Sequence, residues 1–434
     1  MVRQAVFIPS SIMNPTRVCC IILGGGRGSR LAPLTQVRCK PAVPLGGKHR
    51  LVDIPISNCL HAGYNQIYLL TQFNTESLHR HIQESYRFDY FSGGFVEVLS
   101  AEQTNANENW YRGTADAVRQ NLIHIQCADD EVVLVLSGDQ LYRIDLHAFV
   151  RHHLQSQADI TIAAKAMPAA QAHQFGLMEI TEDHQIKRFV EKPQDKAVLK
   201  TLFLPPLLRN QLKNASDQPY CIASMGIYAF KASVLKECLN SEDHDFGKDV
   251  VPHALGKYRL SGYLFDDYWA DIGTIRSFFE ANLMLTDSLP MFDFYNELAP
   301  IYSKPRNLAA SKLNSCSVDH SIVAEGCIIT NAQLNRSVIG IRSIIRNNSQ
   351  LENVYMMGAD HYEPMGKPTK TPMVGIGENC YIRNAILDRN VRIGNNVRLS
   401  PEGKPNGFHQ GSIYIQDGIL CIEKNGVIPD NTIL

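Results

Sequence analysis

From residue 17 to residue 285, short apolar runs alternate with segments in which apolar residues recur every three or four positions. The apolar runs predict β-strands at Val18–Leu23, Gln66–Thr71, Val132–Leu136, Ile160–Ala166 and Ile222–Phe230. The helical spacing predicts α-helices at Thr75–Tyr86, Thr114–Gln126, Leu146–Gln155 and Ile275–Leu285. Alternating strands and helices indicate an α/β domain at residues 17–285, with a doubly wound, mostly parallel, Rossmann-like sheet. Ligands of such a sheet bind beyond the carboxyl ends of its strands.

The pattern changes after Leu285. Residues 286–315 combine prolines and aromatic residues without a clear period, which predicts a linker that packs against its neighbours. Residues 316–434 repeat isoleucine, leucine and valine at steps of about five to six, with glycine and asparagine between them. This period predicts a left-handed parallel β-helix of hexapeptide repeats, interrupted by a protruding loop at residues 357–372. A set of ordinary short strands is the alternative.

The composition disfavours several kinds of partner and site. The net charge of −1 and the absence of charge runs favour neither a nucleic-acid partner nor a membrane. No apolar stretch approaches the roughly 18–20 residues that span a bilayer. The eleven cysteines form no C-x-x-C pair, which argues against a zinc site and a disulfide framework. Residues 1–16 lack the features of a secretory signal and are predicted to be an N-terminal extension of a cytoplasmic protein.

A glycine-rich turn with the sequence LGGGRGSR follows the first predicted strand. It lacks the lysine of a P-loop and the last glycine of a dinucleotide-binding fingerprint. Its backbone N–H groups are unshielded by side chains and can approach a base or phosphates closely. Arg27, Arg30 and, further along, Lys40 add positive charge that suits a polyphosphate. A tight turn with solvated basic side chains is the alternative.

Two aspartates are candidate metal ligands. Asp139 follows the buried strand Val132–Leu136, where a carboxylate is costly unless it meets a cation. Asp271 precedes the predicted helix Ile275–Leu285 and offers a second carboxylate. Mg²⁺ is bound in this way by one or two carboxylates plus substrate phosphates. A helix-capping role is the alternative for each aspartate.

The longest motif reads LGGGRGSRLAPLTQVRCKPAVPLGGKHRLVDIPISNCL. The further motifs are, in chain order, WYRGTADAV, SGDQLYRID, FGLMEI, FVEKPQ, ASMGIYAF, DFGKDVVP and YWADIGTI. In sequence, order and spacing they resemble the glucose-1-phosphate adenylyltransferases, or ADP-glucose pyrophosphorylases, most of all the plant and cyanobacterial type. The resemblance covers nearly the whole chain, including the β-helix.

The resemblance implies a nucleotidyltransferase domain that converts ATP and glucose 1-phosphate to ADP-glucose and pyrophosphate, with Mg²⁺ as cofactor, for glycogen or starch synthesis. It also implies a homotetramer. The catalytic residues that it implies are Arg30 and Lys40 for the departing pyrophosphate, Lys192 for the sugar phosphate, and Asp139 and Asp271 for the metal. For the nucleotide, the corresponding positions are Leu23, Gly24, Gly25, Gly26, Arg27, Gly28, Gln72, Gly113 and Thr114. For glucose 1-phosphate, they are Tyr111, Gly176, Glu191, Lys192, Ser224, Tyr228, Asp249 and Trp269.

At the C-terminal effector positions, the sequence differs from the family that it resembles. Members of the plant and cyanobacterial type bind a phosphorylated activator through two lysines, whose places are taken here by Arg389 and Gln416. Arginine keeps the charge, whereas glutamine loses it. We therefore expect a phosphorylated allosteric effector to act weakly or in an altered way.

Other functions are compatible with parts of the sequence. The first is a catalytically silent regulatory subunit of the same family, which Arg30, Lys40, Asp139 and Lys192 argue against because such subunits tend to lose cationic residues of the glycine-rich signature. The second is an enzyme that uses UTP or GTP instead of ATP. The third is an acyltransferase, because hexapeptide β-helices often carry a catalytic histidine; His320 and His361 are the candidates.

Overall fold

The computed structural model describes residues 17–101, 110–204, 218–363 and 372–434. The expected N-terminal extension, residues 1–16, and residues 364–371 of the expected protruding loop lie outside this part of the chain. Within the described residues, no helix is both long enough and apolar enough to cross a membrane.

The first domain is built on one large twisted sheet. The strands of the domain are β1 (Val18–Leu23), β2 (Pro44–Leu45), β3 (His49–Arg50), β4 (Gln66–Thr71), β5 (Phe95–Ser100), β6 (Val132–Ser137), β7 (Gln140–Tyr142), β8 (Ile160–Pro168), β9 (Gly176–Ile180), β10 (Ile186–Glu191), β11 (Tyr220–Lys231), β12 (Leu260–Leu264) and β13 (Trp269–Asp271), of which β2 with β3 and β7 with β13 form two small sheets apart from the large one. Its α-helices are α1 (Asp53–His61), α2 (Glu76–Ser85), α3 (Thr114–Asn121), α4 (Leu146–Gln155), α5 (Ala169–Ala172), α6 (Lys196–Thr201), α7 (Ala232–Cys238), α8 (Val251–Ala254) and α9 (Ile275–Met284).

The strand order of this sheet is β10-β9-β11-β6-β1-β4-β5, and β8 joins β11 to β12. Strands β6, β1, β4 and β5 pair in parallel, as do β8 and β12. The long strand β11 runs antiparallel to β6, β8 and β9. In the register of β1 and β6, Leu23 lies opposite Ser137. The glycine-rich turn and Asp139 therefore leave the sheet side by side, at the carboxyl ends of the parallel strands.

The predicted strands at Val18–Leu23 and Gln66–Thr71 and the predicted helix at Leu146–Gln155 are confirmed with the predicted bounds. Helix α3 ends at Asn121, earlier than predicted. The Asn121 side chain donates to the carbonyl of Ala117 and to the hydroxyl of Tyr111, so it competes with helix continuation. Helix α1 and the antiparallel hairpin of β9 and β10 were not among the predicted elements.

The second domain is a parallel β-helix. Its strands are β14 (Lys312–Asn314), β15 (Ser317–Asp319), β16 (Ile322–Val323), β17 (Ile328–Thr330), β18 (Gln333–Asn335), β19 (Val338–Ile339), β20 (Ile344–Ile345), β21 (Gln350–Met356), β22 (Gly375–Ile376), β23 (Tyr381–Leu387), β24 (Arg392–Ile393), β25 (Arg398–Leu399), β26 (Phe408–Gln410), β27 (Ile413–Gln416), β28 (Ile419–Ile422) and β29 (Val427–Ile428). Strand β14 already pairs with β17, so the β-helix begins within the segment expected to be linker.

Stacked side chains hold the coils of the β-helix in register. Leu351, Ile382 and Leu399 lie on successive strands and are buried inside. At one corner, the asparagine side chains form a hydrogen-bonded ladder whose members all have positive φ: Asn331, Asn348, Asn379, Asn396 and Asn431. Asparagine tolerates this left-handed conformation better than most residues, which explains its recurrence between the apolar positions.

The two domains share one continuous hydrophobic core. Phe278 of α9 packs against Tyr355 of β21, with ring centroids 5.5 Å apart. Phe292 and Ile301 of the linker are buried in the same cluster, as expected for a linker that packs. A buried ion pair crosses the interface, where Nη2 of Arg38 lies 2.7 and 2.8 Å from the two carboxylate oxygens of Asp388. The side chains of this pair are only 5% and 1% exposed.

Breaking the buried Arg38–Asp388 pair should cost far more stability than breaking a surface pair. Replacing Arg38 by Met leaves a buried carboxylate without its partner, so we expect Arg38→Met to lower the free energy of unfolding by about 3–5 kcal/mol. Urea denaturation followed by circular dichroism measures this change.

The matched control is Glu402→Gln, which breaks the exposed pair between Arg383 and Glu402. It should cost about 0–1 kcal/mol. The double variant Arg38→Met/Asp388→Leu should recover most of the loss, because it removes both charges. A cost for Arg38→Met no larger than that of the control would contradict this assignment.

Candidate active site

A cavity of about 500 Å³ opens at the carboxyl ends of β1, β4 and β6. It is lined by Leu23, Gly25, Gly26, Arg30, Lys40, Leu70, Gln72, Phe73, Tyr111, Arg112, Gly113, Thr114, Ala117, Ser137, Asp139, Gln140, Gln174, Phe175, Gly176, Glu191, Lys192, Ser224, Met225, Gly226, Tyr228, Asp245, Phe246, Gly247, Trp269 and Asp271. A second cavity of about 220 Å³ adjoins it and shares several of these residues, with Gly24, Gly28, Ser29, Pro41 and Gly273 added. The structure thus places most of the predicted site residues around one connected space.

The glycine-rich turn is held against the sheet by its backbone. Gly24 donates to the carbonyl of Leu70 at 2.7 Å, and a Cβ at Gly24 would lie 3.1 Å from that oxygen. Gly28 has a φ of 64°, a left-handed conformation that favours glycine. A Cβ at Gly26 would meet no described atom within 4 Å. The Gly26 backbone therefore faces open cavity, as a contact to a base or phosphate requires.

Arg27 lies apart from the other predicted nucleotide residues. Its guanidinium is positioned 4.8 Å from the ring centroid of Phe73, which itself stacks on Trp110. Phe73 lines the cavity, whereas Arg27 does not. The positive charge of Arg27 is thus held at the rim by a cation–π contact.

The two predicted metal carboxylates converge on one cation. Nζ of Lys40 lies 2.7 Å from Oδ2 of Asp139 and 3.6 Å from Oδ1 of Asp271. Burial by itself would raise the pKa of Asp139, but Lys40 and the hydroxyl of Ser137 outweigh it and hold that pKa below its usual value. Burial raises the pKa of Asp271; the Lys40 ammonium opposes this effect, and the charge of Asp139 adds to it.

This donor set fits a magnesium ion bound together with its substrate. Both carboxylates reach one cationic position, which is the arrangement that a divalent ion uses. Among the residues that the structure describes, no cluster of three or more His, Cys, Asp or Glu side chains is arranged for a metal. The remaining ligands of an ion at Asp139 and Asp271 would therefore be phosphate oxygens and water.

Glu191 and Lys192 form the opposite wall of the cavity. Lys192 has a φ of 44°, and its N–H donates to the carbonyl of Phe175 at 3.1 Å. A left-handed lysine is strained, and such strain is concentrated at functional sites. Nζ of Lys192 lies 3.2 Å from Oε1 of Glu191. The ammonium and the carboxylate thus enter the cavity together, with Pro193 preventing continuation of the strand.

Two glycines leave room for the Glu191 carboxylate. A Cβ at Gly176 would lie 2.6 Å from Oε2 of Glu191, and a Cβ at Gly247 would lie 2.9 Å from the same atom. Gly176 was predicted from the sequence, whereas Gly247 was not. No local signal distinguishes Gly247, because its importance arises from a strand distant in the chain.

Four further predicted sugar-phosphate residues line the same cavity: Tyr111, Ser224, Tyr228 and Trp269. The Ser224 hydroxyl accepts a hydrogen bond from the N–H of Gly226 at 3.2 Å. Nε1 of Trp269 donates to Oε1 of Gln140 at 3.0 Å, which fixes the indole plane. Tyr111 accepts from Asn121 at 2.7 Å. Burial raises the pKa of Tyr228, so its phenol stays protonated as a hydrogen-bond donor.

Thr114 connects the two halves of the cavity. It was predicted to face the nucleotide, but its hydroxyl donates to Oδ2 of Asp245 at 3.1 Å and accepts from the N–H of Phe246 at 3.0 Å. A Cβ at Gly113 would lie 2.2 Å from the carbonyl oxygen of His244, so these backbones are in close contact. The loop before α3 and the loop of residues 244–247 are therefore held together by side-chain and backbone contacts.

Asp249 requires a correction. It was predicted to line the sugar-phosphate pocket, but it does not appear in the cavity wall. Its Oδ2 accepts the N–H groups of His244 and Asp245, each at 2.9 Å. These two bonds hold the pKa of Asp249 below its usual value. Asp245, from the same DFGKD motif, lines the cavity instead, and Asp249 shapes the loop that carries it.

The predicted effector residue Arg389 lies at the domain interface, outside both cavities. Its Nη1 is 2.8 Å from Oδ1 of Asp360, and its side chain is 9% exposed. Burial lowers the pKa of Arg50 to about 10, and the positive charge of Arg389 contributes to that shift. The same charge adds to the burial that lowers the pKa of Arg306. Gln416 ends β27, next to Asp417, which accepts a hydrogen bond from the backbone of Arg276.

The histidines considered for acyl transfer lie outside both cavities. His320 pairs with the adjacent Asp319 at 2.9 Å and is exposed, and His361 is also exposed.

A family model of nucleotidyl transferases matches residues 19–288. The chain belongs to this family. A second model, described as the GLGC left-handed parallel beta-helix domain, matches residues 306–433. These matches confirm the predicted fold class, including the handedness of the β-helix. Together the two domains place the chain among glucose-1-phosphate nucleotidyltransferases.

The close approach of Gly247 to Glu191 gives a test of the sugar-phosphate wall. The methyl group of Gly247→Ala would displace the flexible carboxylate of Glu191 while leaving the backbone in place. We expect a raised KM for glucose 1-phosphate and a loss of about tenfold to a hundredfold in kcat/KM, as for other misplacements of about 1 Å. Steady-state kinetics with each substrate varied separately measures both.

Gly26→Ala is the contrast, because it adds the same methyl group to the glycine-rich turn. Its KM for glucose 1-phosphate should match that of the wild-type chain. An unchanged KM for glucose 1-phosphate in Gly247→Ala would rule out this role of Glu191.

Proposed function

We propose that the protein is a glucose-1-phosphate adenylyltransferase, which forms ADP-glucose and pyrophosphate from ATP and α-D-glucose 1-phosphate for glycogen or starch synthesis. The observation that carries the proposal is the composition of one cavity. The glycine-rich turn with Arg30 lies on one side, Glu191 and Lys192 lie on the other, and the Asp139–Asp271 pair adjoins the turn. A nucleoside triphosphate and a sugar phosphate can therefore meet at the carboxylates.

The reaction needs no protein nucleophile. A phosphate oxygen of glucose 1-phosphate attacks the α-phosphorus of ATP in line, the new P–O bond forms, and the bond to the β-phosphate oxygen breaks with loss of pyrophosphate. The attacking oxygen is already anionic, so no general base has to activate it. Catalysis then depends on positioning two anions and on neutralising the charge that develops.

The side chains of the cavity have roles that follow from their charge. Lys192 is positioned to align the attacking phosphate, and Glu191 accepts hydrogen bonds from sugar hydroxyls. Arg30 offers a planar, permanent cation to the departing pyrophosphate. Asp139 and Asp271 would hold Mg²⁺. When bound, Mg²⁺ neutralises the phosphate charges that would otherwise repel each other.

The residues that line this cavity also bear on two alternative functions that the sequence allows. A catalytically silent subunit is disfavoured because Arg30, Lys40, Asp139 and Lys192 all line one space. A UTP-using enzyme differs only in its base pocket. The Gln72 side chain lies beside the turn, with its Cβ 3.6 Å from where a Cβ of Gly25 would be, and this proximity supports the proposal that Gln72 reads the base.

Regulation, assembly and location form a further part of the proposal. A phosphorylated effector would bind where Arg389, Arg50 and Arg306 bring positive charge together between the domains, and the loss of a lysine at Gln416 would weaken its effect. We also propose a homotetramer in the cytoplasm, as in the family that the sequence resembles.

The proposal is tested by pyrophosphate release. The full chain is given glucose 1-phosphate and Mg²⁺ with ATP, UTP, GTP or CTP in separate reactions. We expect release with ATP, and a loss of roughly 10²–10³ in kcat for Asp139→Asn, the size seen when one electrostatic group is removed from a preorganised site.

Asp159→Asn is the matched control, since Asp159 pairs with Lys231 outside the cavity. It should retain wild-type turnover. A preference for UTP would replace the proposed adenylyl transfer by uridylyl transfer on the same fold. Failure with every nucleotide, with phosphorylated effectors added, would favour the silent subunit.

A further inference from the structure

The Lys40 ammonium contacts both carboxylates that are predicted to hold the metal. Its side chain is 9% exposed, and its ammonium lies 2.7 Å from Asp139 and 3.6 Å from Asp271. The ammonium therefore occupies the position between the two carboxylates that a divalent cation would need. A role confined to pyrophosphate binding does not account for this placement.

We propose that Lys40 is a cationic latch on the metal site. In the nucleotide-free chain its ammonium closes the position between Asp139 and Asp271, and it turns to the phosphates when nucleotide and metal enter together. This inference rests on the proposed nucleotidyl transfer and adds an order to it: free metal is excluded until a polyphosphate offers Lys40 another partner.

The backbone at Lys40 is anchored, so the latch must move through its side chain. Lys40 starts a 3₁₀ turn, and its carbonyl accepts the N–H of Val43 at 3.0 Å. Two residues earlier, Arg38 is tied to Asp388 of the β-helix. A lysine has a flexible four-carbon stem and a compact charge, which allows its ammonium to exchange partners while the backbone stays fixed.

The residues around Lys40 provide both proposed positions of its ammonium, one at the carboxylates and one at the phosphates. Lys40 lines the main cavity and also the smaller one, where Arg30 and the glycine-rich turn provide the phosphate-facing surface. A Cβ at Gly28 would lie 3.1 Å from Cβ of Lys40, so the turn and the base of the latch are in contact. Phosphate binding at the turn would thus bring an anion within reach of the same ammonium.

Electrostatics explains why such a latch is useful. Two neighbouring carboxylates without a cation between them repel each other. Lys40 offsets this repulsion and holds both carboxylates in place before the substrate arrives. Displacing it costs the ion pair, and that cost is offset when the ammonium gains a phosphate.

Binding of Mn²⁺, a spectroscopic substitute for Mg²⁺, tests the proposal without relying on turnover. Free Mn²⁺ is measured by electron paramagnetic resonance in titrations of the full chain, with and without α,β-methylene-ATP, whose α–β bridge resists cleavage. The wild-type chain should bind Mn²⁺ weakly alone and tightly with the nucleotide. Lys40→Met and the polar variant Lys40→Gln should bind Mn²⁺ without nucleotide about tenfold more tightly or better, since a charge-assisted contact no longer competes.

Two control variants identify the source of the gain. Adding Asp139→Asn to either Lys40 variant should abolish the tighter binding. Lys231→Met removes another lysine that lies 2.7 Å from an aspartate, outside the cavity, and should bind Mn²⁺ like the wild-type chain. Equal Mn²⁺ affinity in the wild-type and both Lys40 chains, or a gain that survives Asp139→Asn, would overturn the latch.

Wild-type turnover, assayed in parallel, separates this inference from the proposed function. Turnover of ATP and glucose 1-phosphate without the change in Mn²⁺ affinity would reject the latch alone. The change in Mn²⁺ affinity without turnover would support the latch and reject the adenylyl transfer.

Discussion

The buried salt bridge between Arg38 and Asp388 fixes the segment on which the cationic side of the cavity depends. Its carboxylate belongs to the β-helix, directly after β23, and its guanidinium lies two residues before Lys40. Buried charges are tolerated only when they face each other with good geometry, so neither segment can shift without the other. The β-helix therefore helps to fix the position of the Lys40 backbone, although no described residue of the β-helix lines either cavity.

A second constraint joins the two substrate walls. The loop before α3 carries Thr114, and the loop of residues 244–247 carries Asp245; side-chain and backbone hydrogen bonds connect them. Gly247, in the second loop, leaves room for Glu191. A shift of the nucleotide-side loop would therefore move the boundary of the sugar-phosphate wall. Alignment of the two anionic substrates of the proposed reaction would depend on such coupling, because small errors in position are costly in rate.

The sequence predicted those features whose cause is local. Strand β1 is a continuous apolar run, and it was placed with the observed bounds because it is buried on both faces. The fold class followed from alternation in the first domain and from a short period in the second. Asp139 and Asp271 could be proposed as partners because Asp139 follows a buried strand at the ligand-binding edge of the sheet and Asp271 directly precedes a predicted helix.

The remaining features depend on contacts between distant parts of the chain. The DFGKD motif contains two aspartates, and only the folded loop shows that Asp249 caps backbone N–H groups while Asp245 lines the cavity. Gly247 gains its importance from Glu191, which no local pattern reveals. The hairpin of β9 and β10 is antiparallel and lacks the long apolar runs that mark the parallel strands. Pairing of this kind is decided by tertiary contacts rather than by propensity.

The two cations beside the carboxylates differ in a way that matches their surroundings. Arg30 presents a rigid, planar guanidinium, which suits a ligand that is held in one orientation. Lys40 carries a compact charge on a flexible stem, which suits a group that has to leave one anion for another. An arginine at position 40 could pair with both carboxylates through a fork of donors and would release them less readily. A lysine at the proposed metal site is thus suited to the proposed exchange, whereas an arginine at position 30 is suited to a permanent contact.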